Sequence, residues 1–173
     1  MKLKFVENLF GVGDKPNTKC CVFEQERYED NRGFFQELYR TDFFIDQISY
    51  STSNKNVVRG LHCSPYPKLC QCLRGRLFDV AVDMRKDSPT YLQWGGVWLD
   101  EDNRRQLYVP PNCAHGFYAA EDNTILLYVQ GGQWSHGNDK EYNWRDPAFS
   151  IDWPEAEEYI LSEKDKNAAF LDI

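Results

Sequence analysis

Three imidazoles, His62, His115 and His136, are the only ones in the chain. Imidazole is the side chain best suited to moving a proton at neutral pH, because its ordinary pKa lies near 6.5. Each also has a plainer reading. His62 lies in Val58-Arg59-Gly60-Leu61-His62, inside a predicted strand, where a core or rim histidine held by backbone groups is the simplest account. Arg59, three residues earlier, belongs on the opposite strand face unless the strand bends at Gly60. His115 sits in a turn that runs into a strand, Pro110-Pro111-Asn112-Cys113-Ala114-His115-Gly116-Phe117, and a structural hydrogen bond suits it equally. His136 follows a glycine-rich turn and is expected in solvent. A metal-binding barrel would offer a His-x-His pair with a Glu a few residues on, whereas Cys63 and Ser64 follow His62, so no metal site is expected. Of the six cysteines, Cys20 and Cys21 are adjacent and Cys70 and Cys72 lie two apart, where strand alternation points both into one environment. No CxxC pair occurs. Reduced, structural thiols in a cytoplasmic protein are the reading.

The elements that must position such residues are strands. Alternation dominates: from Leu77 to Met84, the residues Phe78, Val80, Val82 and Met84 share one face, expected to be buried, and Asp79 and Asp83 share the other. Whether Asp83 points into a barrel mouth or to solvent is open at this point. Further strand candidates are Cys20 to Glu24, Gly33 to Leu38, Gln47 to Ser53, Val57 to Cys63, Leu69 to Leu73, Leu92 to Leu99, Gln106 to Val109, Gly116 to Ala119 and Thr124 to Gln130. Turn residues separate them, as in Asp30-Asn31-Arg32-Gly33 and Asp87-Ser88-Pro89, at the spacing of an antiparallel sandwich or barrel. Helix is expected only near Thr41 to Asp46 and from Ser162.

With 173 residues the chain suits one domain, spanning 1–173, and no repeat or linker interrupts it. Hydrophobic residues at 42% and charged residues at 27% exclude disordered and fibrous classes, and aromatics at 15% favour a strand protein. The net charge of −7 argues against nucleic acid as partner, yet is compatible with a small anion held by a local Arg/Lys pocket. Glu7 and Asn8 split Phe5-Val6 from Leu9-Phe10, so no signal-peptide run is found before Pro16, and no stretch approaches a membrane span.

A series of motifs then carries a likeness. Asp30-x-Arg32-Gly33-Phe34-Phe35, Asn56-Val57-Val58-Arg59-Gly60-Leu61-His62, Phe78-Asp79-Val80-Ala81-Val82-Asp83-Met84-Arg85, Ser88-Pro89-Thr90, Arg105-Gln106-Leu107, Ala114-His115-Gly116-Phe117, Leu127-Tyr128 and Ile151-Asp152-Trp153-Pro154 follow one another at spacings that resemble the dTDP-4-dehydrorhamnose 3,5-epimerase family, from about Cys20 to Asp165. The resemblance implies an all-β, cupin-type jelly-roll barrel with short peripheral helices. It also implies a homodimer, without metal or other cofactor, acting on a nucleotide-linked 4-keto-6-deoxyhexose.

A ketone at C4 acidifies the C–H bonds at C3 and C5. Inverting either carbon needs a base on one face, an acid on the other and a charge to hold the enolate oxygen. The resemblance implies His62 as the base, Asp165 as the carboxylate that holds its tautomer, Tyr128 as the acid and Lys68 as the cation. It further implies Arg59 and Arg32 for the phosphates and nucleotide, Gln47 for the nucleotide, and His115 for the sugar or its phosphate. Phe35 and Glu37 then belong to a segment that reaches a neighbouring subunit's site, and Trp134 stands where an aromatic stacks on the base.

Departures from the family pattern touch the substrate pocket. The segment Cys63-Ser64-Pro65-Tyr66-Pro67 is a few residues shorter than the usual loop, Ser49 stands where Asn is usual, and Gln130-Gly131-Gly132-Gln133-Trp134 replaces a Lys/Thr/Tyr-rich stretch. Thymidine is therefore the default nucleotide, with UDP, GDP and CDP sugars open. Rival functions are a single-carbon epimerase, a 3,4-ketoisomerase, a non-catalytic sugar-binding cupin and a metal-dependent cupin oxygenase.

Overall fold

The computed structural model describes residues 4–12, 18–39, 45–135 and 137–172. Its strands are β1 (Lys4–Phe10), β2 (Cys20–Glu24), β3 (Arg27–Asp30), β4 (Gly33–Gln36), β5 (Gln47–Ser53), β6 (Val58–Cys63), β7 (Lys68–Arg74), β8 (Arg76–Asp83), β9 (Trp94–Asp100), β10 (Arg105–Val109), β11 (Cys113–Ala119), β12 (Thr124–Gln130) and β13 (Lys140–Glu141), followed by a single turn of helix, α1 (Glu163–Lys166). Every expected strand forms, with bounds shifted by a few residues at most. β1, β3 and β13 were not anticipated. The helix expected near Thr41 to Asp46 falls largely on residues outside those described, as does His136.

All ladder pairings are antiparallel. One sheet runs β1-β2-β10-β7-β12-β5, a second runs β13-β6-β11-β8-β9, and β3-β4 form a separate hairpin. The two large sheets enclose the main core, with Cys70, Cys72, Leu107 and Leu126 from the first meeting Leu77, Ala81, Leu99 and Phe117 from the second. This is the all-β cupin-type jelly roll. All six cysteines are buried free thiols, Cys70 and Cys72 both within that core. Among the described residues no helix is long and apolar enough to cross a membrane.

The apolar face expected for Leu77 to Met84 is buried, and the surroundings of Asp83, open in the sequence, are decided by the fold. Phe78 and Val82 do pack against apolar side chains, but Asp79 and Asp83 on the other face are fully buried as well. The reason is that the five-stranded sheet is covered twice: by the opposing sheet inside, and outside by the C-terminal segment carrying Trp144, Phe149, Trp153 and Tyr159. A strand buried on both faces loses the apolar/polar contrast that alternation relies on. Asp83 accepts hydrogen bonds from Arg85 Nη2 at 2.7 Å, Ser88 Oγ at 2.6 Å and Thr90 Oγ1 at 2.7 Å. Burial alone would raise its pKa, yet these donors hold the carboxyl down to about 2. It anchors the turn after β8 and has no part in the pocket described below.

Two features of the fold aim side chains at one place. In the β6/β11 ladder His62 faces His115 and Arg59 faces Phe117, so Gly60 and Leu61 together oppose Gly116. This extra residue is a β-bulge. It reverses the parity of β6, and Arg59 and His62 come to face the same side. Gly60 has φ +123°, and a Cβ on it would lie 2.7 Å from Gly116 Cα and 2.8 Å from the His115 carbonyl oxygen. Only glycine fits both the conformation and the space. Second, Val58 N–H donates to the Ile160 carbonyl at 2.9 Å, which lays the C-terminal segment beside β6. Ser162 then caps α1 by accepting from Asp165 N–H at 3.1 Å, and Asp165 is buried against β6.

Gly60→Ala is accordingly expected to lose about 2 kcal/mol of stability and most of any turnover that depends on His62. Chemical denaturation and a steady-state assay check both, and full retention of stability and turnover would show that the bulge does not aim His62.

Candidate functional site

A cavity of about 290 Å³ opens between the two large sheets. From the five-stranded sheet β6 contributes Arg59 and His62, and β11 contributes His115. From the six-stranded sheet β5 contributes Gln47, β7 contributes Lys68 and β12 contributes Tyr128. The ladders explain the second set. Tyr128 pairs with Cys70 and Gln130 with Lys68, so Tyr128 and Lys68 share the inward face of neighbouring strands. Trp134 follows β12 at the rim, 53% exposed, and its backbone N–H donates to Gln47 Oε1 at 2.8 Å.

His62 Nε2 and Asp165 Oδ1 are 2.7 Å apart. An ionised carboxylate can only accept, so Nε2 carries the proton and Nδ1 is the lone-pair nitrogen. Burial would raise the Asp165 pKa, but hydrogen bonds from His62, Ser162 and the Gly60 backbone outweigh it and hold the carboxyl below its ordinary value. The bulge residue thus also supports the carboxylate that orients His62. This pair is the arrangement that fixes an imidazole in one tautomer and stabilises its protonated form.

Tyr128 donates to or accepts from Ser51 Oγ at 3.1 Å, and burial pushes its phenol well above the usual range, so it is protonated at neutral pH. Lys68 is 8% exposed and makes no ion pair among the described residues. Burial lowers its pKa, and Asp139, also lining the cavity, works against that. A buried ammonium without a fixed counter-ion is suited to an oxyanion that appears during a reaction. Arg59 is held by Ser53 Oγ at 3.1 Å and by the Thr52 carbonyl at 3.0 Å. His115 Nε2–H donates to the fully buried Asp79 Oδ1 at 2.7 Å, and its ring meets Tyr128 edge-on at 6.2 Å.

Of the residues named from the sequence, His62, Tyr128, Lys68, Gln47, Arg59, His115 and Trp134 line this one cavity, and Asp165 stands behind His62. Arg32, Phe35 and Glu37 do not line it. Arg32 is at the tip of the β3–β4 hairpin, paired with Asp30 at 2.6 Å, and Phe34 and Phe35 are 61% and 67% exposed there. Sequence reasoning missed Asp139, which accepts from Ser64 Oγ at 2.6 Å, and Ser51. An Asp in a polar loop carries no signal of its own. Asp79 did carry one, as a carboxylate inside an apolar strand. A larger cleft of about 560 Å³, near Met84, Ser88 and Tyr142, is lined by no imidazole among the described residues.

The chain matches the model of the dTDP-4-dehydrorhamnose 3,5-epimerase family over residues 17–172. It belongs to that family. The enzyme of this name from Methanothermobacter thermautotrophicus is 40% identical over 161 residues, covering 86% of this chain and 87% of that protein. Among solved structures, the dTDP-6-deoxy-D-glucose-3,5-epimerase of Legionella pneumophila in complex with dTDP-4-keto-L-rhamnose is 34% identical, with a TM-score of 0.86 over 94% of this chain and 92% of that one. A 3'-monoepimerase of Streptomyces bikiniensis in complex with dTDP-quinovose is 27% identical, with a TM-score of 0.83 over 87% and 83% of the two chains. The epimerase family is one of carbohydrate isomerases, and the site described above lies within the matched span.

Asp165→Asn tests the His62 pair. It removes the fixed tautomer, and turnover is expected to fall by on the order of 10²-fold to 10⁴-fold. The folded carboxyl is depressed, so its stabilisation is present above the unfolded pKa of about 4 and is lost as pH falls through the folded value. Wild type should therefore exceed the variant in denaturation stability at pH 7, and the difference should close in the most acidic buffers. A constant difference across that range would contradict the assignment.

Proposed function

We propose that this chain inverts C3 and C5 of a dTDP-linked 4-keto-6-deoxyhexose by proton transfer, with His62 as base and Tyr128 as acid. The observation that carries the reading is the convergence of His62–Asp165 from one sheet with Tyr128 and Lys68 from the other on a single cavity. His62 Nδ1 removes the proton from carbon, the C–H electron pair passes into the enolate, and the ammonium of Lys68 faces the resulting oxygen. Tyr128 returns a proton to the other face of the same carbon, its own proton is replaced from solvent, and the His62 imidazolium gives up its proton to solvent. Asp165 stabilises the imidazolium formed in the first half.

The cavity of about 290 Å³ suits a sugar ring better than a whole nucleotide sugar. The diphosphate and base then run outward past Arg59 to Gln47 and Trp134, where the indole offers a stacking face. The β3–β4 hairpin supports a homodimer, since it holds Arg32 and two exposed phenylalanines away from the body of its own chain. In this reading Arg32, Phe35 and Glu37 complete the neighbour's pocket. The free thiols suit a reducing, cytoplasmic compartment.

A single-carbon outcome is the second reading, favoured by the shared fold with the monoepimerase and by the shortened Cys63 to Pro67 segment beside the cavity. Incubation with the dTDP-linked substrate in D₂O, followed by NMR, separates the two. Exchange at both C3 and C5, reduced by on the order of 10²-fold or more in His62→Ala and in Tyr128→Phe, is expected. Exchange at one carbon selects the second reading, and equal exchange in His62→Ala would sink both.

The shared pocket has its own test. Arg32→Glu should bind substrate poorly without losing the fold. Mixing it with His62→Ala forms dimers with one intact site, since half the random dimers are mixed and half their sites are whole, which restores about a quarter of wild-type activity. No recovery after subunit exchange would place the hairpin outside the neighbour's site.

A further inference from the structure

Behind the cavity lies a cluster that the proposed proton transfers do not use. Cys70 Sγ, an Asp79 carboxylate oxygen and a ring nitrogen of His115 all lie within 4.8 Å of one another, and all three residues are buried. The contacts converge on a single atom: His115 Nε2 is 2.7 Å from Asp79 Oδ1 and 3.6 Å from Cys70 Sγ. A nucleophile–histidine–acid relay needs its two partners on opposite ring nitrogens. Two partners on the same nitrogen leave Cys70 unactivated, so these donors do not form a catalytic triad.

A second observation points to a ligand. Asp79 Oδ2 is buried and has no hydrogen-bond partner among the described residues. One proton, that on Nε2, is shared between two acceptors, and a carboxylate oxygen is left with nothing, an arrangement that costs free energy in a dry interior. A cation at the point of convergence would satisfy all three groups.

We propose that Cys70, Asp79 and His115 form a binding site for a thiophilic divalent cation such as Zn²⁺, whose occupation obstructs the cavity. One sulfur, one nitrogen and one oxygen donor suit zinc or cobalt, and are a poor set for magnesium or calcium. Bond lengths of about 2.0 to 2.3 Å place tetrahedral donors roughly 3.3 to 3.8 Å apart. The Cys70–His115 separation already lies in that range, and the His115–Asp79 contact opens as its proton leaves. Binding releases the Cys70 thiol proton to solvent and shifts the imidazole proton of His115 from Nε2 to Nδ1, forms bonds to thiolate, imidazole and carboxylate, and changes no oxidation state. His115 lines the cavity, which supplies both an entry path and a fourth position that faces the bound sugar. The obstruction rests on the proposed function, whereas the binding itself does not.

The test uses EDTA-treated protein titrated with Co²⁺. A thiolate-to-cobalt charge-transfer band saturating at one equivalent and displaced by Zn²⁺ is expected in wild type. In Cys70→Val, a near-isosteric change, the band should vanish and the affinity should fall at least about tenfold. Absence of the band in wild type overturns the site without reference to any variant, as does an unchanged titration in Cys70→Val. One equivalent of Zn²⁺ should also suppress substrate exchange in D₂O in wild type but not in Cys70→Val. Equal suppression in both would place the inhibition elsewhere, and a protein inactive in every assay would refute the epimerase reading while leaving the cobalt titration decisive for the site.

Discussion

At Gly60 and Gly116 two strands approach so closely that neither position has room for a Cβ: one on Gly60 would lie 2.7 Å from Gly116 Cα, and one on Gly116 would lie 2.6 Å from the Arg59 carbonyl oxygen. Much of the site depends on this contact. The bulge it accommodates brings Arg59 and His62 to one side of β6, sets His62 across from His115, and turns Gly60 toward the carboxylate of Asp165. An undistorted strand would send either the arginine or the histidine away from the cavity.

The second constraint is electrostatic. Four carboxylates among the described residues, Asp79, Asp83, Asp146 and Asp165, are almost completely buried, and each is placed where donors can meet it, Asp146 by the backbone N–H groups of Ala148 and Leu171. Asp83 is met by three side chains and serves the fold. Asp165 and Asp79 each accept a hydrogen bond from a histidine at 2.7 Å and so orient the two imidazoles of the cavity. The difference lies in how completely they are satisfied, since Asp79 retains an oxygen without a partner. A buried charge costs least where its hydrogen bonds are complete, and the incomplete one is where a further ligand finds purchase.

The outer covering of the five-stranded sheet by residues 142–171 has a functional consequence as well. Trp144, Phe149, Trp153 and Tyr159 give that sheet a second buried face. The same segment, registered on β6 through Ile160, delivers Asp165 to His62 across a sequence separation of 103 residues. Core packing and site assembly are here one event, so apolar changes in this segment act on the histidine through its carboxylate.

Much was legible in the residues alone. Period-two patterning and turn chemistry located ten strands, because a half-buried pleated surface imposes alternation locally. The resemblance to the epimerase family singled out His62, Asp165, Tyr128 and Lys68. Edge strands such as β1 and the two-residue β13 escaped because their burial pattern is weak, and the surroundings of Asp83 on the second face of β8 stayed open because alternation alone does not show that a sheet is covered on both sides. What only the tertiary structure decided is which residues meet. The parity of β6 rests on a bulge that needs Gly116 of another strand opposite it. The partner of His62 lies 103 residues away, that of His115 is an aspartate from β8, and Lys68 joins Tyr128 only through the β7/β12 register. Local sequence sets propensity over a few residues, whereas register and burial are settled by packing between distant segments, and that is where the chemistry of this protein is assembled.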